Sequence, residues 1–356
     1  MEQKSVLIGM SGGVDSSVAA ALLKEQGYHV IGATMRLWTY SDSCNMKHEG
    51  CCAESAVEDA RRVCDKLGID FYVMNFKDMF KDKVVDYFVD EYIHGRTPNP
   101  CIACNKYLKF DALLKKALAM GIDYVATGHY AKIEKGEDGK YILRASEAVK
   151  KDQSYVLYNF TQEQLAHTLM PLGGYNKDWV RQKAEELGLG VAHKPDSQEI
   201  CFVEDDDYAK FITDYSGYKP KEGDILDVNG NVIGKHRGLI YYTIGQRKGI
   251  GAYGRPMFVM KIDAENNTIT LGEKGMEFSN ELTAYDVNFV SGKFPKENML
   301  ITAKVRYQAP PAAAMLCPQK DGTVKLMFPE PQRAVTPGQA VVFYDGDIVL
   351  GGGTVL

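Results

Sequence analysis

The chain has no run of about 18 apolar residues, the length that crosses a bilayer as a helix, so no helical membrane span is expected. It has no internal repeat and no low-complexity tract, which argues against solenoids and linker-dominated architectures. No signal peptide is read ahead of the strand-like Val6–Met10, so a cytoplasmic location is expected. A net positive charge is also missing. The balance of −5 argues against generic binding of polyanions. The charge is uneven, however. Residues 52–94 hold 6 Lys and Arg against 10 Asp and Glu, while residues 102–151 hold 10 against 6. A locally basic face on an acidic protein can still select a nucleic acid. The last absence is local. "SGGVDSS" at Ser11–Ser17 looks built to hold an anion, yet no Lys follows the glycines as it does in nucleoside-triphosphate loops of the G-x-x-x-x-G-K-[ST] kind.

What is present is the composition of a globular protein, 45% hydrophobic and 25% charged, and 356 residues allow two or three domains. The first 130 residues alternate strand and helix. Val6–Met10 reads as a buried strand, Val14–Gln26 as a helix with Gly27 as its C-cap, and His29–Leu37 as a second strand. Ala56, Ala60, Val63, Cys64 and Leu67 mark one helical face ended by Gly68, and Phe71–Phe76 reads as a third strand. Phe110, Leu113, Leu114, Ala117 and Leu118 have helical spacing, and Asp123–Thr127 reads as a fourth strand. The expected fold is therefore α/β, with a parallel sheet covered by helices. Thr161 and Gln164 form a capping box, and Asn176–Leu187 is helical. After about residue 215 the character changes. Asn229-Gly230 and "KIDAENNTITLGE" signal hairpins, and Glu281–Leu356 reads as a small antiparallel barrel or sandwich. We expect a catalytic domain over 1–212, a β-rich central domain over 213–279 and a β-barrel over 280–356.

In the loop, Gly12 and Gly13 let the backbone approach a ligand, and the helix behind them offers free N–H groups. Ser11, Ser16 and Ser17 add hydroxyls. Asp15 either caps the helix or sits on a Mg²⁺ brought by phosphates. A tight turn with a capped helix is the plain alternative.

The eight cysteines are Cys44, Cys51, Cys52, Cys64, Cys101, Cys104, Cys201 and Cys317. In a large cytosolic chain they are expected to be mostly reduced, and clustered ones point to catalysis or metal. "GRTPNPCIACNKYLKF" places Cys101 and Cys104 in a C-x-x-C before a helix, where Lys106, Lys109 and helical N–H groups would lower a thiol pKa. "HKPDSQEICFV" places Cys201 between a polar loop and an apolar run. Cys44, Cys51, Cys52 and Cys317 are expected to be structural, and Cys64 to be core.

"SGGVDSS" after a first strand resembles the signature of the N-type ATP pyrophosphatases, which cut ATP between the α- and β-phosphates. The resemblance implies that the loop holds pyrophosphate as a leaving group, so no lysine has to reach a γ-phosphate. The loop does not choose among NAD and GMP synthetases, argininosuccinate synthetase and tRNA-modifying enzymes. The succession S-G-G-V-D-S-S, N-P-x-x-x-C-N-K-x-x-K-F, T-G-H-Y, K-D-Q-S-Y and D-S-x-x-I-C-F does choose, because it is similar to the bacterial tRNA-specific 2-thiouridylases. The likeness continues through "GLIYYTIGQRKGIG" at Gly238–Gly251, "VRYQ" at Val305–Gln308 and "PGQAVVFYDGDIVLGGG" at Pro337–Gly353.

That resemblance implies ATP-dependent 2-thiolation of the wobble uridine of tRNA. The uridine's 2-carbonyl oxygen would be adenylated and then replaced by sulfur from a cysteine persulfide, carried by Cys201 with Cys104 as its partner. Gly9, Met10, Ser11, Gly12, Gly13, Val14, Asp15 and Ser16, with Met35 and Gly128, would bind ATP, with Mg²⁺. Asn99, Pro100 and Cys101 would meet the target base. His129, Lys151, Asp152, Gln153, Arg306, Tyr307 and Gln339 would contact tRNA, and the uridine would be flipped out of its stack. Plainer readings exist: Met35 as core, Tyr307 as a strand aromatic, His129 as a satisfied structural histidine, Lys151 as a solvated charge. Partners would be tRNA and a sulfur-donor carrier protein or sulfide, with no membrane, and the chain would be a monomer. Many family members carry Asp at the position of Cys101 here, so Cys101, Cys104 and Cys201 are also candidates for three ligands of a 4Fe–4S cluster. A structural zinc site would want a fourth ligand that the sequence does not offer. The competing functions are a small-molecule synthetase of the same ATP-pyrophosphatase class and a non-catalytic nucleotide or iron–sulfur module.

Overall fold

A computed structural model describes residues 3–38, 54–148, 151–196, 200–203 and 206–356. Cys44, Cys51 and Cys52 lie outside the described residues.

β1 (Ser5–Gly9) is apolar at its centre, and Val6, Leu7 and Ile8 are fully buried. It leads through the glycine loop into α1 (Val14–Glu25), which stops at Gly27, where φ is +87°. β2 (His29–Arg36), α2 (Glu54–Leu67) and β3 (Asp70–Asn75) follow. A broken helical stretch comes next. It comprises α3 (Lys77–Phe80), a π-helical turn at Lys81–Val85 and α4 (Asp86–Ile93). Then come α5 (Pro100–Ala103), a second π-helical run at Cys104–Ala112 and α6 (Leu113–Ala119). β4 (Tyr124–Ala126) returns to the sheet. The hairpin β5 (Ala131–Lys135) and β6 (Tyr141–Ala145) leaves it again. α7 (Gln162–Ala166) opens on the Thr161–Gln164 capping box. β7 (Thr168–Leu169), α8 (Lys177–Glu186) and α9 (Tyr208–Ser216) complete this part.

The sheet has the order β3-β2-β1-β4-β7, and every neighbouring pair is parallel. From β1 the chain winds outward through β2 and β3, then crosses back to β4 on the other side of β1. The direction reverses at β1, so the crevice outside the carboxyl ends of β1 and β4 is the switch point where ligands of such sheets bind. The glycine loop leaves β1 there, and Gly128 closely follows β4.

The rest of the chain is β-rich. β8 (Gly223–Leu226) and β9 (Val232–His236) flank the Asn229-Gly230 turn, and β10 (Met257–Asp263) pairs with β11 (Thr268–Glu273) as a hairpin. Together they form one four-stranded sheet. The last six strands are β12 (Phe278–Phe289), β13 (Met299–Lys304), β14 (Ala312–Pro318), β15 (Val324–Arg333), β16 (Ala340–Asp345) and β17 (Ile348–Val355). They close into an antiparallel barrel through the β12–β17 pairing, which decides between barrel and sandwich.

β16 is one of the strands that weld the barrel to the α/β part. β16 is buried on both faces: Val341 and Phe343 pack inside the barrel, while Ala340, Val342 and Tyr344 belong to the large core around Cys104, Phe88 and Tyr155. Alternation along a strand sends successive side chains to opposite faces, so one strand serves two cores. The β5–β6 hairpin extends the same sheet, with Ile348 of β17 opposite Arg144 of β6.

Candidate active site

The glycine loop is shaped by close approach. Gly12 has φ +70°, and a Cβ there would lie 2.3 Å from the Ala56 carbonyl oxygen. Gly128 has no room either, since its Cβ would lie 2.7 Å from the Ser16 nitrogen. Gly13 is the N-cap of α1 with no side-chain cap, so the first N–H groups of the helix are left for a ligand. The Ser16 and Ser17 hydroxyls turn inward to the Gly13 carbonyl, and Ser11 N–H donates to Ser16 Oγ at 3.2 Å. Met10 and Val14 put their side chains in the core, so they contribute backbone to the loop. Met35 is partly buried against the core.

Asp15 does not cap the helix. Its carboxylate accepts hydrogen bonds from Tyr130 Oη at 2.7 Å and from Lys177 Nζ at 2.7 and 2.8 Å. Lys177 also reaches Asp196 at 2.7 Å, and Asp196 is shared with Lys151 at 2.7 Å. Burial raises the Asp196 pKa, but hydrogen bonds from Lys151 and Lys177 outweigh it and hold the carboxyl near 2. Lys194 Nζ donates to the Gly12 carbonyl at 3.1 Å and to Asp59 at 2.9 Å. The loop thus has lysines after all, delivered from 160–180 residues downstream.

The T-G-H-Y segment connects this loop to the cysteine helix. Tyr130 reaches Asp15, while the neighbouring His129 ring lies 5.8 Å from that of Phe110 in the π-helical run that starts at Cys104. His129 bonds Thr127 Oγ1 through Nδ1 at 2.7 Å. Burial, with the Lys109 charge adding to it, pushes the His129 pKa well below 6.5, so the ring is neutral. Neutral imidazole offers hydrogen bonding or stacking, with no charge for a phosphate.

Cys104 is buried, in the same apolar cluster as Ile102 and Phe202. Cys201 is exposed, and Phe202 beside it is fully buried against Phe80, Phe88 and Phe211, with ring centroids 5.6, 5.3 and 5.2 Å away. Burying one such ring stabilises the segment by about 2–3 kcal/mol, which fixes where Cys201 emerges. Neither cysteine is in a disulfide. Cys64 is buried, and burial first, with the Asp65 charge, pushes its thiol up to about 12, which suits an inert core residue.

The expected lowering of thiol pKa does not hold at Cys101. The protein around its sulfur pushes the pKa up and outweighs the opposing Lys109 charge. Lys106 spends its charge on Asp286, 2.7 Å away across the barrel contact. Nor do three Cys, His, Asp or Glu side chains gather to hold a metal among the described residues. The trio Cys101, Cys104 and Cys201 therefore does not fit a cluster, and no step is routed through one.

Asn99, Pro100 and Cys101, the residues expected at the target base, sit where the two β-rich parts and the α/β part meet. Asn99 Oδ1 caps α5 by accepting from Cys101 N–H at 3.1 Å, and Pro100 occupies the first helical position. Two residues earlier, Thr97 N–H donates to the Pro337 carbonyl, Gln339 Nε2 donates to the Thr97 carbonyl at 2.7 Å, and Thr97 Oγ1 lies 3.3 Å from Thr243 Oγ1. Asn99, Ile102 and Lys106 line a cavity of about 290 Å³ that Tyr285 and Gly338 of the barrel part help enclose.

The residues expected at tRNA fall into two groups. Tyr307 is exposed, its hydroxyl donating to the Asp152 carbonyl at 3.1 Å, and Lys304 lies 5.8 Å from its ring. Lys151 is half-exposed beside Asp196. The others are engaged inside the protein. Asp152 accepts from Ser146 and Ser154, and Gln153 accepts from Tyr130 N–H. Arg306 is partly buried, donating to the Ala334 and Ile244 carbonyls and to Thr336, so it ties the central sheet to the barrel. Lys177 was not singled out by the sequence. Thr97, Tyr130, Lys194 and Asp196 lie within motifs that were, but none was assigned a role.

A parallel sheet with a glycine loop at its switch point, followed by a small β domain and a closed barrel, defines a three-part α/β protein with a HUP-class first domain. The family models agree in description. Residues 4–205 match a tRNA methyl transferase HUP domain, 209–273 a tRNA methyl transferase PRC-barrel domain and 279–355 an aminomethyltransferase β-barrel domain. Over its whole length the chain is 59% identical to all of a tRNA-specific 2-thiouridylase MnmA of Acetivibrio thermocellus. It is 58% identical to a protein of the same name from Clostridioides difficile, over 99% of this chain and 98% of that one. The chain belongs to the tRNA-specific 2-thiouridylase family.

Proposed function

We propose that the chain is an ATP-dependent tRNA-uridine 2-sulfurtransferase. The supporting observation is the Thr127–Tyr130 segment. One of its residues bonds Asp15 of the phosphate loop, and the next packs on the helix that carries Cys104. One short connection thus runs from the loop expected to bind the nucleotide to the helix that carries Cys104, which supports coupling the two chemistries.

In this reading the switch-point crevice would take ATP: the backbone of Gly9–Ser16 would hold the phosphates, and Met35 and Gly128 would face the adenosine. A Mg²⁺ arriving with the phosphates would neutralise their charge, with Asp15 as the nearby carboxylate that could hold it. The uridine, extruded from the anticodon loop, meets Asn99–Cys101. Its O2 attacks the α-phosphorus, the O–P bond forms, and the bond to the β-phosphate oxygen breaks to release pyrophosphate. The terminal sulfur of a Cys201 persulfide then attacks C2. The Cys104 thiolate attacks the inner sulfur of Cys201, breaking the S–S bond and forming a Cys104–Cys201 disulfide. The electron pair left on the new C–S bond expels AMP with the original oxygen, giving 2-thiouridine. An external thiol reductant restores the pair, and a carrier holding sulfur as a persulfide reloads Cys201 by passing its terminal sulfur to the Cys201 thiolate and leaving as the carrier thiolate. Sulfide instead reloads Cys201 by attacking the disulfide at the Cys201 sulfur and expelling the Cys104 thiolate. Tyr307, Lys151, Asp152, Gln153, His129, Arg306 and Gln339 form or support the tRNA face. The exposed Tyr307 offers a ring for stacking; the internally bonded members hold its shape. The division at residues 212 and 279 is part of the same proposal, as are a cytoplasmic, monomeric enzyme and no membrane contact.

Mass spectrometry of nucleosides from tRNA incubated with the protein, ATP, Mg²⁺, a thiol reductant and a persulfide donor tests it. 2-Thiouridine should appear at the wobble position with one AMP and one pyrophosphate each. Uridine left unmodified while ATP is consumed would refute the sulfur-transfer assignment. Absence of any ATP turnover would refute the pyrophosphatase reading.

A further inference from the structure

The phosphate loop has no lysine in its own sequence, yet the structure surrounds it with more cations than anions. Lys177 stands between Asp15 and Asp196. Asp196 also receives Lys151 at 2.7 Å and Arg181 at 3.5 Å. Asp59 receives Lys194 at 2.9 Å and Arg62 at 3.7 Å. Five cations thus converge on three carboxylates.

Three of the five cations are solvated, Arg62 at 76%, Lys151 at 41% and Arg181 at 39% exposure, so the cations drawn out of water are Lys177 and Lys194. Lys177 is withdrawn: its side chain is only 11% exposed, and it begins α8, far from β1 in sequence. Lys194 is bound to the backbone of Gly12, the glycine that shapes the loop. Both ammonium groups therefore lie on the loop itself, whereas Lys151 and Arg181 lie one carboxylate further out.

We propose that Lys177 and Lys194 supply the side-chain cations for the departing pyrophosphate, replacing the loop lysine that the sequence lacks. The inference rests on the ATP-pyrophosphatase reading of this loop and deepens it. Without a nucleotide the two ammonium groups are parked on Asp15, Asp196 and Asp59. The phosphates would compete with these carboxylates for the two ammonium groups. Charge on the leaving group grows as its bond to the α-phosphorus breaks, so cations fixed here favour that step over simple nucleotide binding. Lys177 also joins the phosphate loop to the segment that leads to Cys201, since Asp196 stands five residues before that cysteine. Neither lysine has this role assigned by the sequence: each reads as an ordinary charge near a helix or loop.

Titration calorimetry of the intact protein tests the proposal with three probes: inorganic pyrophosphate with Mg²⁺, ATP with Mg²⁺, and AMP. Lys177→Met is expected to weaken pyrophosphate at least tenfold and AMP less than twofold. Lys194→Met is expected to weaken pyrophosphate at least fivefold, and Lys177→Arg to recover most of the loss. Pyrophosphate binding unchanged in Lys177→Met overturns the proposal. So does an equal loss for AMP and pyrophosphate, which marks a structural clamp. If Lys177→Met does not fold, Lys177→Met/Asp196→Asn removes one stranded carboxylate and is judged by the same ratios. A wild-type protein that binds neither ATP nor pyrophosphate refutes the underlying reading instead, so the two failures are distinct.

Discussion

The phosphate loop and the cysteine site are built on opposite principles. The loop's turn is written locally: within nine residues a strand ends, Gly12 turns at φ +70° and a helix begins, even though Ala56 and Gly128, which press on it, and the lysines that bond it come from elsewhere. The cysteine site is assembled. Cys104 and Cys201 are 97 positions apart and are brought onto one core by Phe202, while the loop before Cys101 is held by Thr97 contacts with residues 243, 337 and 339. A local site carries its own geometry and survives change elsewhere. An assembled site inherits every error in domain packing, but it can couple chemistry to the docking of a large substrate.

The sharpest break of this comparison comes from the thiols. Cys201→Ser and Cys104→Ser should each lower 2-thiouridine formation by roughly 1000-fold or more, because no other nucleophile replaces the sulfur. Binding of ATP and pyrophosphate should stay within about twofold of wild type. Substantial thiolation by either variant would remove that cysteine from the reaction.

Next in size is the loop. Gly12→Ala must push against the Ala56 carbonyl in a strained backbone region and should weaken ATP by about 100-fold, with a loss of roughly 1–3 kcal/mol in stability. Gly13→Ala is the control, since its Cβ meets only Ser11 Oγ at 3.4 Å and its φ is −105°. Equal calorimetric losses for the two variants would show that loop shape is not set by sterics at Gly12.

The same contrast explains what could be read from the sequence. The buried strands, the helix faces, the glycine stops at Gly27 and Gly68 and the Thr161 box were legible because each is written within one or two turns of chain. The helix from Lys77 to Ile93 was missed although Phe80, Val84, Phe88 and Tyr92 recur every fourth residue. Phe76 precedes it with no side-chain cap, and a π-helical turn breaks its middle. The β5–β6 hairpin could not be assigned to the barrel sheet from local pattern, because its partner lies some 200 residues away. The roles of Lys177, Lys194 and Thr97 were invisible for the same reason. Their roles come from partners, and although Thr97 and Lys194 lie inside recognised motifs, nothing local assigns them those partners. The expected thiol-lowering field at Cys101 failed because sequence counts charges, whereas the fold pairs Lys106 with Asp286 and desolvation of the thiol outweighs the Lys109 charge.

A third effect is set by pH. Asp196, held near 2 by Lys151 and Lys177 against its own burial, has a folded pKa below the unfolded value near 3.8. Its contribution, about 2 kcal/mol, is fully present above pH 4 and is lost as pH falls through 2. Urea denaturation from pH 5 to 2 should therefore show a shallower decline for Asp196→Asn than for wild type. Identical slopes would mean that this carboxylate gains nothing from its lysines.

The smallest expected effect bears most directly on the assembled site. Gln339 belongs to the barrel, yet its Nε2 donates to the Thr97 carbonyl, two residues before the Asn99 cap of the cysteine helix. Gln339→Ala removes that bond and should cost about 1 kcal/mol in stability. It should weaken an anticodon stem-loop only a few-fold, because Thr97 keeps its N–H bond to Pro337. A residue acting by positioning and one touching RNA directly differ in how they combine. If Gln339 works through the Asn99 loop, Gln339→Ala and Asn99→Ala together should weaken the stem-loop by less than the product of their separate effects. If each touches a different part of the RNA, the effects should multiply. Salt adds a second discriminator: neither residue carries charge, so the slope of affinity against ionic strength should stay at its wild-type value, whereas Lys151→Met should make it shallower. A multiplicative pair would move Gln339 out of the scaffold and onto the RNA, and the local and assembled sites would then differ less than the fold suggests.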